Sequence, residues 1–253
     1  MVALITGASS GIGADMARIL SDKGYDLILV ARNKRKMEVL AKELKTNAEI
    51  IPMDISSTYN CTELYNLVKK KNIDVLVNNA GFGLFGEFCC TKLDKELDMI
   101  ELNVKTVHTL TKLFLKDFVK KDKGYILNVA SSAAFMPGPL MATYYATKAY
   151  VASLSRAVAK ELRQHNSGVY VGCLCPGPVD TEFNDVANVK FALKGISAEY
   201  CANYAIDMMK KKKTVIIPTL QMKVVTVCGR LIPQSLYISL VSHQQKKKFL
   251  SRA

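Results

Sequence analysis

The sequence lacks any segment that would divide it into separate domains. It contains no linker rich in proline, glycine and serine, no low-complexity tract and no repeat of solenoid length. Its 253 residues, 49% of them hydrophobic, are enough to bury a substantial core in one unit. We therefore predict a single domain over residues 1–253.

Long uninterrupted hydrophobic runs are also missing. The longest apolar stretch, near the C-terminus, is broken by Pro218, Lys223, Arg230 and Pro233, so no membrane-spanning helix is predicted. The chain opens on an apolar strand, which leaves no room for the charged start and apolar core of a signal peptide. The chain has seven cysteines, an odd number. Together with the lack of a predicted signal peptide, this predicts a protein of the reducing cytoplasm.

Residue sets with the spacing of a metal site or a nucleic-acid motif are absent. The pairs Cys89-Cys90 and Cys173/Cys175 have no companion histidine or second cysteine pair, so we predict small core residues and no metal. The net charge of +13 comes from short lysine clusters without interleaved aromatics. Without such a motif, nucleic acid is not the favoured partner of this basic charge. An anionic cofactor, a carrier-bound acyl chain or acidic lipid suits it better.

Short apolar segments alternate with helical segments through most of the chain. Strands are predicted at 2–6, 25–31, 49–52, 75–77, 125–129, 169–174 and 215–217. This alternation is typical of a parallel sheet covered by helices on both faces. Ligands bind such sheets beyond the carboxyl ends of the strands.

A glycine-rich turn follows the first strand. Gly7, Gly11 and Gly13 stand in the spacing G-x-x-x-G-x-G before an amphipathic helix. Glycines let the backbone approach a pyrophosphate closely, and the helix N-terminus offers free amides. A mere tight connection is the alternative interpretation.

The residue after the second strand indicates which dinucleotide would bind. Ala31 and Arg32 provide no carboxylate for a ribose 2′-hydroxyl, whereas a guanidinium suits a 2′-phosphate. A solvated arginine that opens the next helix is the alternative. We therefore predict NADP(H) in preference to NAD(H).

Further polar residues follow the next strands or interrupt a helix. Asp54 follows the third strand and Asn78-Asn79-Ala80-Gly81 the fourth, although both could be turn residues. Asn103 lies within a predicted helix over 94–120, where a buried amide needs a partner or a purpose.

One predicted helix carries Tyr144 and Lys148 four residues apart. Side chains at this spacing share a helix face, and an ammonium near a phenol favours the phenolate. Taken alone, the pair is more often a half-buried tyrosine beside a solvated lysine. Tyr145, three residues before Lys148, also lies within reach of the ammonium by spacing.

Taken in order, these motifs resemble the short-chain dehydrogenase/reductase family. The resemblance spans residues 2 to about 218 and rests on the turn at 6–13, the segment 78–81, Asn103, Ser131 thirteen residues before Tyr144, the Tyr144-to-Lys148 motif, and the segment 176–181. Within the family, the chain is similar to bacterial members and to reductases of 3-oxoacyl and steroid-like carbonyls.

The resemblance implies a single-domain, doubly wound α/β fold of about seven parallel strands, and a homodimer or homotetramer. It implies that Tyr144 supplies the proton, Lys148 lowers the tyrosine's pKa and holds the ribose, Ser131 binds the carbonyl oxygen, and Asn103 holds a water. It also selects Tyr144 over Tyr145, which we predict to pack behind the helix. The implied cofactor-binding residues are Gly7, Ser9, Ser10, Gly11, Ile12, Gly13, Arg32, Asp54, Ile55, Asn79, Ala80, Gly81, Tyr144, Lys148, Pro176, Gly177, Val179 and Thr181.

Two later segments bear on substrate and assembly. Residues 182–196, with Phe183, Val186, Phe191 and Leu193, are predicted to form a lid over a hydrophobic substrate. Residues 219–253 form a basic, partly apolar extension, expected to pack beside the substrate mouth or against another subunit. Shallow contact with a membrane surface is the less favoured alternative.

A stripe of small residues on the Tyr144 helix is read either as a dimer interface or as packing on the sheet. Its members are Ala142, Ala146, Ala149, Ser153 and Ala157.

The sequence therefore predicts an oxidoreductase that transfers hydride between NADP(H) and a carbonyl or secondary alcohol of a hydrophobic substrate. The alternatives are a catalytically silent cofactor sensor with the same fold and an isomerase or lyase with tightly held cofactor. The intact serine, tyrosine and lysine positions disfavour the sensor.

Overall fold

Seven parallel strands form the central sheet. The computed structural model describes residues 1–183, 195–229 and 231–250, the last four as backbone alone. The strands of this sheet are β1 Val2–Thr6, β2 Asp26–Ala31, β3 Ala48–Pro52, β4 Ile73–Asn78, β5 Tyr125–Val129, β6 Tyr170–Leu174 and β9 Val215–Ile216. Their order is β3-β2-β1-β4-β5-β6-β9, which confirms the predicted α/β class.

Helices cover both faces of this sheet. They are α1 Gly11–Asp22, α2 Lys34–Glu43, α3 Thr58–Val68, α4 Leu93–Ile100, α5 Val107–Lys120, α6 Ala142–Gln164, α7 Ala198–Lys210, α8 Leu220–Cys228 and α9 Gln234–Leu250. Several begin where the sequence supplies a capping side chain: Asn33, Ser57, Ser197 and Thr219 each accept from a backbone N–H three residues on.

The strands are apolar on both faces because both faces are buried. Along β1, Ala3 and Ile5 pack in one core cluster with Met16 of α1 and Ile206 of α7. Leu4, between them, packs on the opposite face in a second cluster that includes helices α3 and α5. This alternation explains why the strand sequences are near-continuous hydrophobic runs.

The predicted helix over 94–120 is interrupted by a π-helical turn, Glu101–Thr106, between α4 and α5. Asn103 lies in this turn and is fully buried. π-Turns inside helices are rare and frequently occur at functional sites. The amphipathic pattern predicted the helix but not this local change in hydrogen bonding.

A short parallel pair lies outside the main sheet. β7 Val179–Asp180 pairs with β8 Ile196–Ser197 and so joins the two ends of the predicted lid. Phe183 is described, whereas Val186, Phe191 and Leu193 lie outside the described residues.

The prediction that Cys89 and Cys90 are core residues is wrong, because both are exposed in the turn before α4. Their sulfurs lie 3.6 Å apart, and the Glu87 carboxylate lies within 4.8 Å of them. Cys173 and Cys175 are buried at the end of β6, as predicted.

In the described part of the chain, none of the helices has the length and hydropathy needed to cross a bilayer.

Candidate active site

The carboxyl ends of β1 and β4 are tied together at the edge of a cavity of about 930 Å³. The Thr6 hydroxyl donates to the Val77 carbonyl at 3.3 Å and accepts from the N–H groups of Asn79 and Ala80 at 3.0 and 3.1 Å. The Asn79 side chain donates to the carbonyls of Thr6 and Gly7 at 3.1 and 3.0 Å. The turn after β1 is thus held rigidly against the end of β4.

Two glycines of this turn have no room for a side chain. A Cβ on Gly13 would lie 2.4 Å from both the Asn79 amide nitrogen and the Gly7 carbonyl oxygen. Gly7 has a φ of +64°, and its Cβ would lie 2.8 Å from the Ala80 Cα. This close packing leaves an open backbone cradle at the start of α1, which fits a pyrophosphate.

Basic residues line the same cavity at the end of β2. Arg32 lines it together with Lys36, which sequence reasoning did not single out. The Lys36 amino group lies 2.7 Å from the Glu182 carboxylate, across the cavity. Asp54 accepts from the Ser56 N–H at 3.0 Å; although burial opposes it, this bonding and the charge of Arg32 lower the pKa of Asp54.

Tyr144, Ser131 and Lys148 converge on the floor of the cavity. The Ser131 hydroxyl accepts from the Ala133 N–H at 3.1 Å, and its proximity lowers the pKa of the Tyr144 phenol. The Lys148 amino group donates to the Val129 carbonyl at 2.9 Å and lies 5.8 Å from the centre of the Tyr144 ring.

Burial favours the neutral forms of both Tyr144 and Lys148, and so shifts their pKa values in opposite directions. Burial raises the pKa of Tyr144, and the nearby Ser131 hydroxyl opposes the shift only in part. Burial lowers the pKa of Lys148 to about 8. Desolvation of the phenolate thus dominates the pKa of Tyr144 in this structure, and the effect of Lys148 on that pKa stays a prediction.

Asn103 lies behind the cavity wall and organises it. Its amide donates to the Phe82 carbonyl at 2.9 Å and to the Thr147 hydroxyl at 3.2 Å, and it accepts from the Phe82 N–H at 3.1 Å. A Cβ on Gly81 would lie 2.8 Å from the Asn103 oxygen and 3.4 Å from the Lys148 nitrogen. A side chain at position 81 would therefore crowd the Asn103 amide.

Tyr145 lines the cavity beside Tyr144. The prediction that it packs behind the helix is therefore wrong. Its hydroxyl accepts a hydrogen bond from the side chain of Gln245, and the two tyrosine rings lie 6.1 Å apart. The prediction failed because α9 covers the first turn of α6, and helical spacing alone could not place a helix 100 residues away.

The opposite end of the cavity is largely apolar. It is lined by Met136 and Met141 before α6 and by side chains of the 219–253 extension, which was expected to pack beside the substrate mouth or against another subunit: Met222, Val225, Cys228, Tyr237, Leu240 and Val241. The helical periodicity of residues 219–253 was the available signal. The Phe183 ring lies 5.5 Å from the Tyr144 ring, at the start of the predicted lid.

The short chain dehydrogenase family model matches residues 1–190. This chain belongs to that family.

Relatives of this short-chain dehydrogenase include an uncharacterized oxidoreductase from Staphylococcus epidermidis, 35% identical over 73% of this chain and 80% of that protein. A very-long-chain 3-oxoacyl-CoA reductase from Phaeosphaeria nodorum is 36% identical over 68% of this chain and 53% of that protein. Among solved structures, a short-chain dehydrogenase from Sphingobium yanoikuyae in complex with NADPH is 31% identical, with a TM-score of 0.81 over 87% of this chain and 88% of that one. The chain is thus an oxidoreductase acting on CH–OH or carbonyl groups.

Within this short-chain dehydrogenase, the residues predicted from the motifs lie around one cavity with two exceptions. Every predicted cofactor-binding residue except Gly13 lines it. Of the four predicted catalytic residues, Ser131, Tyr144 and Lys148 line it and Asn103 does not.

Proposed function

We propose that this short-chain dehydrogenase transfers hydride between NADP(H) and a carbonyl or secondary alcohol on a hydrophobic substrate. The observation that carries the proposal is the convergence of Ser131, Tyr144 and Lys148 in a cavity whose other end is the glycine cradle. When bound, the nicotinamide cofactor supplies or accepts the hydride.

Tyr144 is the proton donor in the reducing direction. Because burial raises its pKa, the phenol stays protonated at neutral pH and can protonate a developing alkoxide. Ser131, which lines the same cavity, is placed to donate to the same substrate oxygen and stabilise its negative charge.

Lys148 and Asn103 support this proton transfer. The Lys148 amino group donates one N–H to the Val129 carbonyl. Because Lys148 lines the cavity, its remaining N–H groups can donate to the hydroxyls of the nicotinamide ribose. Asn103, on the far side of Gly81, would position a water that connects the ammonium to solvent. Asn103 also holds the Phe82 backbone, so it is a positioning residue.

The charge around α2 supports NADP(H). The first turn of α2 carries Lys34, Arg35 and Lys36 and no acidic residue. The helix dipole disfavours cations at this end, so the basic cluster suits a bound anion such as a 2′-phosphate near Arg32. The NADPH complex of the Sphingobium yanoikuyae relative supports the same preference.

The apolar end of the cavity supports a lipophilic carbonyl substrate. Methionines from two parts of the chain line it: Met136 and Met141 before α6, and Met222 on α8. Flexible thioether side chains accommodate extended apolar groups of varied shape. The likeness to a very-long-chain 3-oxoacyl-CoA reductase agrees with a 3-oxoacyl thioester or a similar ketone.

An activity panel tests the proposal. Purified protein is mixed with NADPH or NADH and with 3-oxoacyl thioesters, ketosteroids or sugars, and the nicotinamide absorbance is followed. We expect NADPH oxidation with the apolar carbonyls and little with sugars. Tight NADPH binding without turnover of any carbonyl would instead support the catalytically silent alternative.

A further inference from the structure

The outward side of α8 and the turn after it is apolar and open to solvent. Leu220, Val224, Val227 and Leu231 follow one another at intervals of four, three and four residues. Within the described residues, these side chains are 75%, 52%, 60% and 83% exposed, respectively. This spacing places the side chains within α8 on one helix face.

The inward side of the same helix is apolar as well. Met222 is buried, and Met222, Val225 and Cys228 line the substrate cavity. α8 also carries Gln221, Lys223 and Thr226, so its apolar residues form two separate faces. A contiguous apolar face that is open to solvent marks an interaction site, and within the described residues the outward face of α8 is of this kind.

The charge of the C-terminal region defines the chemistry of that partner. Residues 219–253, which include α8 and α9, contain six lysines and arginines and no aspartate or glutamate. Lys223 on α8 donates to the Tyr204 hydroxyl at 2.9 Å, and Lys246 on α9 is exposed. A second copy of this chain on the same face would bring two basic regions together, which costs energy, whereas an anionic surface would neutralise them.

We propose that α8 and α9 dock on an anionic lipid bilayer, with the stripe Leu220, Val224, Val227 and Leu231 inserted at the boundary between headgroups and acyl chains. An apolar helix face beside basic residues is the usual form of such an interfacial contact. If the substrate is lipophilic, as the proposed function holds, docking places the α8 wall of the cavity within about one helix diameter of the lipid, roughly 10 Å. The docking itself does not depend on the substrate.

Vesicle sedimentation of the full chain tests the docking. The protein is spun with phosphatidylcholine vesicles and with vesicles that also contain phosphatidylserine. We expect sedimentation with the anionic vesicles, weaker sedimentation with the neutral ones, and a decrease as salt is raised. The triple variant Leu220→Ser, Val224→Ser and Leu231→Ser should bind anionic vesicles at least about tenfold more weakly, because it removes the inserted apolar groups.

A matched control removes exposed apolar groups elsewhere. Val39→Ser, Tyr59→Ser and Leu67→Ser alter side chains that are 54%, 73% and 55% exposed on α2 and α3. This variant should sediment like the wild type. NADPH binding in the absence of vesicles verifies that each variant is folded; if the triple stripe variant is not, Leu231→Ser alone should still show a partial loss.

Three results would overturn the docking proposal. The first is wild-type protein that stays in the supernatant with anionic vesicles, and the second is equal sedimentation of the stripe and control variants. The third is a lower molar mass of the stripe variant by light scattering without vesicles, which would assign the face to a second copy. Turnover of a water-soluble carbonyl without vesicles tests the proposed function separately.

Discussion

At the scale of single residues, two adjacent tyrosines have different partners. Tyr144 shares the cavity with Ser131 and Lys148, whereas the Tyr145 hydroxyl accepts a hydrogen bond from Gln245 on α9. We expect Tyr144→Phe to lower kcat by about 10²- to 10⁴-fold, because the proton donor is lost. Tyr145→Phe should keep most of the turnover but lower the free energy of unfolding by about 1–3 kcal/mol, since the buried Gln245 amide loses its partner.

Steady-state kinetics, NADPH fluorescence titration and urea unfolding of both variants test this contrast. NADPH binding should be retained in both. An active Tyr144→Phe together with an inactive Tyr145→Phe would show that the roles are reversed.

Lys148 makes the stability of the cofactor-free protein depend on pH. Its pKa falls from 10.5 to about 8 on folding because burial disfavours the ammonium. Between these values the unfolded chain binds more protons than the folded one, so stability rises with pH across this window. At neutral pH the penalty is on the order of 3 kcal/mol.

Urea unfolding of Lys148→Met from pH 7 to 10.5 isolates this effect. The variant should gain stability relative to wild type at pH 7, and the difference should shrink as pH rises. A constant offset at every pH would instead report only the lost hydrogen bond to Val129.

Arg32 is expected to select the phosphorylated cofactor. Arg32→Ala should raise the KM for NADPH about tenfold or more and leave that for NADH nearly unchanged, since only the 2′-phosphate loses a charged partner. Arg35→Ala is the control, because Arg35 lies three residues after Arg32, in the first turn of α2, and does not line the cavity. Equal effects on both cofactors would contradict the assignment.

At the scale of elements, the turn between β1 and α1 depends on space that only glycine leaves. Gly13→Ala should raise the KM for NADPH and lower the free energy of unfolding by about 1–3 kcal/mol, because its Cβ would overlap the Gly7 carbonyl and the Asn79 amide. Gly24→Ala is the comparison, since nothing lies within 4 Å of its Cβ although its φ is +81°. Gly24→Ala should lower stability through backbone strain and leave the KM for NADPH unchanged. A normal KM for NADPH in Gly13→Ala would show that the turn tolerates the added methyl group.

At the scale of the whole molecule, the small-residue stripe of α6 faces outward. Ala142, Ala146, Ser153 and Ala157 are exposed, and Ala149 is half-buried, so the alternative of packing on the sheet is wrong. Small exposed side chains allow another helix to approach closely, which supports the homodimer implied by the family. We expect light scattering at low salt to give at least a dimer, and Ala157→Arg to shift it toward monomer; a monomeric wild type would refute the dimer.

Local pattern predicted much of the architecture. The predicted strand 125–129 coincides with β5 Tyr125–Val129, because burial on two sheet faces leaves a short continuous apolar run. The order and spacing of the glycine turn, Ser131, Tyr144 and Lys148 likewise predicted which residues meet in one cavity.

The sequence by itself determined the α/β class and the family, because both follow from local periodicity and motif order. Only the tertiary structure decided that Tyr145 meets Gln245, that Lys36 reaches Glu182, and that the π-turn seats Asn103 behind Gly81. These contacts join residues far apart in the chain or depend on a small change in helix geometry, and neither is set by the spacing of neighbouring residues. The same holds for α8, whose apolar pattern predicted a helix, whereas its packing decided which side lines the cavity and which side faces outward.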